Sequence, residues 1–194
     1  MATTTTIYLV SVQKLKDRTI INNNVDDSLL SSAIQEAQEI ELQQILGTKL
    51  YRYILEIISN GLIHTVGYEK YKLLLDEYCT KVVTYAAALR ALPAIHFKVM
   101  NKGVNNQNSD NSQPTSLQEL EFVMDRVRND IEFFSQRLSN YLLEHRIDYP
   151  EYMGNYKIDE IQPNVQNYHS NLVLDDGECP CIRSYGYNWR TITL

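Results

Sequence analysis

The chain has 194 residues, 44% of them apolar and 22% charged, with a formal net charge of −6. That length suffices for one domain with a sizeable core plus an appendage. No uncharged apolar run approaches the ~20 residues that cross a bilayer, and no basic patch offers the counterion-displacing surface of a sequence-reading nucleic-acid binder.

The opening "MATTTTIYLVSVQK" has no basic segment ahead of a hydrophobic one, so it does not read as a secretory signal, and synthesis in the cytosol is expected. Residues 1–24 read as an N-terminal extended arm. Ile7 and Leu9 alternate with Tyr8 and Val10, which suits a short strand or an extended segment. "NNN" at 22–24 marks a turn, and Asp26 or Asp27 is placed to cap the next helix.

Leu30, Ala33, Ala37 and Ile40, widened by Ile34, Leu42, Ile45 and Leu46, have helical spacing. Gly47 should end this helix and Thr48 cap the next, which runs along Leu50, Ile54, Ile57 and Ile58 to "NG" at 60–61. A longer signal follows: Tyr71, Leu75, Tyr78, Val82, Tyr85, Leu89, Leu92 and His96 step by 4 and 3, one face of a helix, with Pro93 kinking it or ending it nearby. The polar stretch "NKGVNNQNSDNSQPT" reads as a mobile loop, 101–115. Ser116 and Glu119 have capping-box spacing, and Leu120, Met124, Val127, Ile131, Phe134, Leu138 and Tyr141 form a second 4-3 stripe ending near His145.

The predicted fold is therefore all-α: a helical bundle, 25–146, with a long antiparallel helix hairpin plus two short helices. A swapped dimer or a parallel pairing competes with it. Residues 147–194 read as an extended C-terminal interaction arm. This segment carries seven acids against three bases, three prolines, six tyrosines and the only tryptophan. It has no helical stripe, yet is too aromatic for a typical disordered tail. Its ending, "SYGYNWRTITL", alternates as a strand added to a partner would.

No catalytic, cofactor-binding or metal residues are predicted. Di-iron bundles need two Glu-x-x-His pairs; here Glu144 and His145 are adjacent and point apart. Cys179 and Cys181, with His169, are too few for structural zinc, which takes four ligands. The three cysteines make no disulfide framework. Cys79 reads as a small core residue, His96 as packed, and Tyr71, Tyr78 and Tyr85 as core. The partner-interface candidates are Tyr185, Tyr187, Trp189 and Arg190, together with Tyr149 and Tyr152, because aromatic residues and arginine dominate interface hot spots.

"LKDRTIINNNVDDSLLSSAIQEAQEIELQQILGTKLYRYIL" resembles the N-terminal region of tailed-bacteriophage head–tail connector proteins, the head-completion or adaptor rings, and most of all the ring proteins of crAss-like phages. The pattern is the turn into "NVDDSLL", then "AIQEAQE", "ILGTKLY" and a long helix pair, over roughly residues 7–152 including "YPEYM". The resemblance implies a structural virion protein of the neck that is assembled in the host cytoplasm. It would form a homo-oligomeric ring, commonly a dodecamer. The ring would dock on the portal protein, extend the DNA channel and join the head to neighbouring connector or tail proteins. DNA would pass through without sequence-specific binding, which an acidic lining suits. A non-virion helical adaptor or a DNA-packaging accessory protein is the alternative.

Overall fold

The computed structural model of the chain describes residues 6–100, 103–106, 117–152, 157 and 160–164. Helix α1 is Val12–Arg18, α2 Asp27–Ala37, α3 Gln43–Ser59, α4 Glu69–Leu74, α5 Thr80–His96 and α6 Leu117–Glu144. The body is a helical bundle. Among the described residues the only sheet is a ribbon of β1 (Phe97–Met100) and β2 (Gly103–Asn106), antiparallel with Phe97 opposite Asn106 and Met100 opposite Gly103.

The described part of the N-terminal segment, residues 6–24, is no extended arm. Ser11 caps α1 by accepting from the Lys14 N–H, and Val10, Leu15 and Ile21 are buried in the common core. The Lys16 side chain, 7% exposed, binds the carbonyls of Asn23 and Val25 and the Asp27 carboxylate at 2.7 Å, tying the asparagine turn to α1. Asp26 stands at the N-cap of α2 without a side-chain cap bond.

Helix α2 runs into α3 through a π turn, Gln38–Leu42. A π turn inserts one residue and rotates everything after it. The buried positions accordingly move from Ala33, Ile34 and Ala37 to Gln38 and Leu42, and Ile40, expected inside, is 43% exposed. Gln38 is buried because its carboxamide accepts from the Leu9 N–H and donates to the Ile7 carbonyl, filling a strand partner's role with one side chain. Gly47 breaks α3 as expected, at φ 74° and ψ 157°, a region essentially restricted to glycine.

A second π turn, Leu75–Cys79, joins α4 to α5 and shifts the tyrosine stripe in the same way. The fully buried line is Tyr71, Leu74, Cys79, Val82, Val83, Ala86, Ala87 and Ala91, while Tyr78, Tyr85, Leu89 and Leu92 are only half-buried. Helix α5 is central and packs most extensively on α2 and α6; its alanines let those helices approach. Pro93 is followed by the end of α5 at His96. Along α6, 28 residues or about 42 Å long, Tyr141 stacks on Tyr78 at 4.2 Å and Phe134 on Tyr85 at 5.1 Å. Seven residues forward on one helix thus meet seven back on the other.

Two further expectations are corrected. Residues 103–106, assigned to a mobile loop, pair with the end of the α5 segment as β2; 101–102 and 107–115 lie outside the described residues, as does Ser116. The body also does not stop at residue 146. Tyr149 and Tyr152 are 0% exposed. Further on, the Thr48 N–H donates to the Ile161 carbonyl, the Ile161 N–H to Thr48 Oγ1 and the Asn164 N–H to the Gln44 carbonyl, each at 2.9 Å. The strained corner at Gly47 is where the returning chain is held.

Candidate interaction surface

Of the predicted partner contacts, Tyr185, Tyr187, Trp189 and Arg190 lie outside the described residues. Tyr149 and Tyr152 do not face a partner; they sit inside this subunit. After α6 the chain turns back through 145–152. The Tyr149 hydroxyl donates to the Lys70 carbonyl at 2.9 Å and lies 3.2 Å from the Tyr141 hydroxyl, while its ring meets Tyr71 edge-on at 5.4 Å. Tyr71 in turn donates to the Glu151 carboxylate at 3.1 Å. Burial, and then the Glu151 charge, pushes the Tyr71 hydroxyl well above its ordinary pKa. Burial and then the Tyr141 hydroxyl do the same to Tyr149. Both phenols therefore stay neutral donors. The cluster clamps the ends of the long helices together; it presents no reactive group.

Two further groups, Cys79 and Arg90, also serve the packing of the bundle. Cys79 is buried and its thiol is pushed up to about 12 by desolvation. Arg90 reaches from α5 to Glu41 at 2.8 Å and Glu36 at 3.7 Å. No group of three or more His, Cys, Asp or Glu among the described residues could hold a metal ion. None of the described helices is long and apolar enough to cross a membrane.

The surface feature that stands out is a groove of about 470 Å³ between the end of α1, the middle of α5 and the first half of α6. Tyr85, Ala88, Val123 and Val127 line it, with Ile20 and Phe122 beside them and Asp17, Arg18, Arg126 and Asp130 bringing charge. Phe122 is 74% and Ile20 65% exposed, a heavy apolar exposure for neighbouring positions. Near the other end of α6, Leu73 and Ile147 are exposed, close in sequence to the Lys70–Asp148 pair at 4.0 Å. Sequence reading missed the groove. The signal was Phe122, which lies two residues off the stripe position Leu120 and so could not share the buried face of α6.

The chain belongs to the family of unknown function DUF6712, whose model matches residues 42–161. The match continues past α6 to Ile161, the residue that bonds to Thr48, so it takes in the returning segment that completes the core. Among curated proteins and solved structures none matches the chain.

Proposed function

For this member of the family we propose a structural role: the subunit of a ring that docks on the portal of a tailed phage, extends the DNA channel and joins head to tail. The observation that carries the reading is the groove at Phe122 near one end of α6, set apart from the individually exposed apolar residues Leu73 and Ile147 toward the other end. From Phe122 to Glu144 the helix rises about 33 Å. A contact between two different surfaces of identical subunits is heterologous, and such contacts close into rings when the rotation allows. The long hairpin of α5 and α6, stacked through aromatic rings, supplies the stiffness to hold those surfaces at a constant separation in every copy.

The resemblance of residues 15–55 to connector proteins supports the same role. So does the charge pattern, because the exposed face of α6 mixes acids (Glu121, Asp125, Glu132) with bases (Arg126, Arg128, Arg137) and carries no continuous basic stripe to grip phosphate. The test is mass photometry of the purified chain, alone and with portal. A closed ring, formed freely or on portal, supports the proposal. A monomer under both conditions that retards duplex DNA would overturn it in favour of a packaging accessory factor.

A further inference from the structure

We infer that the groove between α1, α5 and α6 receives the stretch "RSYGYNWR", residues 183–190, of a neighbouring copy of the same chain. This rests on the ring reading above and names the contact that would join adjacent subunits.

The groove and the stretch match in three respects. The first is chemistry. The groove has an apolar floor of Ala88, Val123 and Val127 with two aromatic rings, Tyr85 and Phe122, and Phe122 is mostly exposed. Tyr185, Tyr187 and Trp189 alternate in sequence, so in an extended chain all three side chains fall on one face. Ring-on-ring contacts with Tyr85 and Phe122 are the expected packing, and Arg18 and Arg126 are available to lie over the incoming rings.

The second is charge. Asp17 and Asp130 stand in the groove, and among the described residues neither is in a salt bridge. Asp17 only accepts from the Gln13 amide. The stretch has an arginine on each side of its aromatic trio, Arg183 and Arg190, and no acid between them. Arg183 and Arg190 would pair with these two carboxylates in a groove whose own lining, with Arg18 and Arg126, is neutral overall.

The third is length. From Phe122 to Asp130 the groove runs about 12 Å along α6, and the trio from Tyr185 to Trp189 spans about 13 Å when extended. The last described residue, Asn164, is anchored on Gln44. From there to Tyr185 the chain can reach roughly 70 Å, well beyond the ~42 Å of α6. That reach is enough to leave one subunit and enter the next.

The test uses the full chain with Cys179→Ser and Cys181→Ser, leaving only the buried Cys79. A tagged copy carries Phe122→Cys and an untagged copy carries Tyr187→Cys. The two are mixed at high concentration and mildly oxidised, then separated by size under denaturing conditions. The expected result is a tagged–untagged covalent dimer, at least tenfold above the yield when Val66→Cys replaces Phe122→Cys as a highly exposed control elsewhere on the surface. A disulfide formed only within one chain, in the Phe122→Cys/Tyr187→Cys double variant, would overturn docking between copies. Equal yields with the control, or no disulfide at all, would overturn the groove as the receiving site. Mass photometry of the same cysteine-depleted chain, alone and with portal, separates the two levels. Rings without the cross-link refute this contact and leave the ring reading standing, whereas absence of rings under both conditions refutes the ring reading itself.

Discussion

In a Tyr149→Phe variant the ring would stay and only the hydroxyl would go. That hydroxyl donates to the Lys70 carbonyl at 2.9 Å, so in its 3.2 Å contact with Tyr141 it is the acceptor. Both bonds are lost together in a fully buried setting. Each is worth about 0.5–1.5 kcal/mol net, so the expected loss is about 1–3 kcal/mol. Tyr149→Ala also removes a ring packed against Tyr71 at 5.4 Å, and truncating a buried aromatic costs about 3–5 kcal/mol. That is a large fraction of the ~5–15 kcal/mol holding a typical domain. Urea unfolding followed by circular dichroism measures both changes, with the slope of the transition expected to stay constant in the phenylalanine variant. The order should be wild type, then Tyr149→Phe, then Tyr149→Ala. If both variants unfold at the wild-type midpoint, Tyr149 is not part of the core; if self-association falls at the same time, it is a partner contact after all.

Gly47→Ala should destabilise the chain by about 1–3 kcal/mol, since φ 74° with ψ 157° is strained for any residue with a Cβ; thermal melting of the variant against wild type measures it. A chain ending at residue 164 should melt as the full chain does, whereas one ending at 146, which lacks Tyr149, Tyr152 and the bonds to Thr48 and Gln44, should melt lower by about 10 °C or more, at ~2–4 °C per kcal/mol for a domain of this size. In the Cys179→Ser/Cys181→Ser chain, Cys79 should resist a thiol reagent at mildly alkaline pH and react in full once urea unfolds the protein, because burial holds its thiol up at about 12. The Tyr71 and Tyr149 hydroxyls have folded pKa values above the unfolded one, so their contribution is fully present below about pH 10 and is lost as pH rises beyond it; the urea midpoint should fall in that range, and less steeply for Tyr149→Phe.

Several features were legible in the residues because they depend on local chemistry. Helical periodicity marked the bundle, Gly47 marked the corner in α3, Pro93 marked the approaching end of α5, and Cys79 was correctly read as a core residue. The phase of the buried face was not legible. A 4-3 stripe assumes one period throughout, and the π turns at Gln38–Leu42 and Leu75–Cys79 each add a residue. They rotate Ile40 and Tyr78 outward and bring Val83 and the alanines of α5 inward. Nothing in the composition of "QEIEL" or "LDEYC" announces a π turn, because the insertion is stabilised by what the helix packs against.

The ends of the chain carry the same lesson. "IYLVSV" alternates like a strand, and its segment does use strand-like bonds, but to the Gln38 side chain, before the chain enters α1. "YPEYM" has the proline and aromatics of an interaction segment, yet Tyr149 closes the subunit's own core against Tyr71 and Tyr141, and Tyr152 is buried as well. An aromatic side chain with a polar tip suits a core and an interface equally well; only the position of Lys70 and Tyr71, some eighty residues earlier in the chain, decided between them. The sequence by itself therefore determined that the body is helical and where its first sharp corner lies, since glycine conformation and apolar spacing act within a few residues. Which face of each helix is buried, and how far the body extends beyond α6, were decided by tertiary structure, because both depend on contacts between residues far apart in the chain.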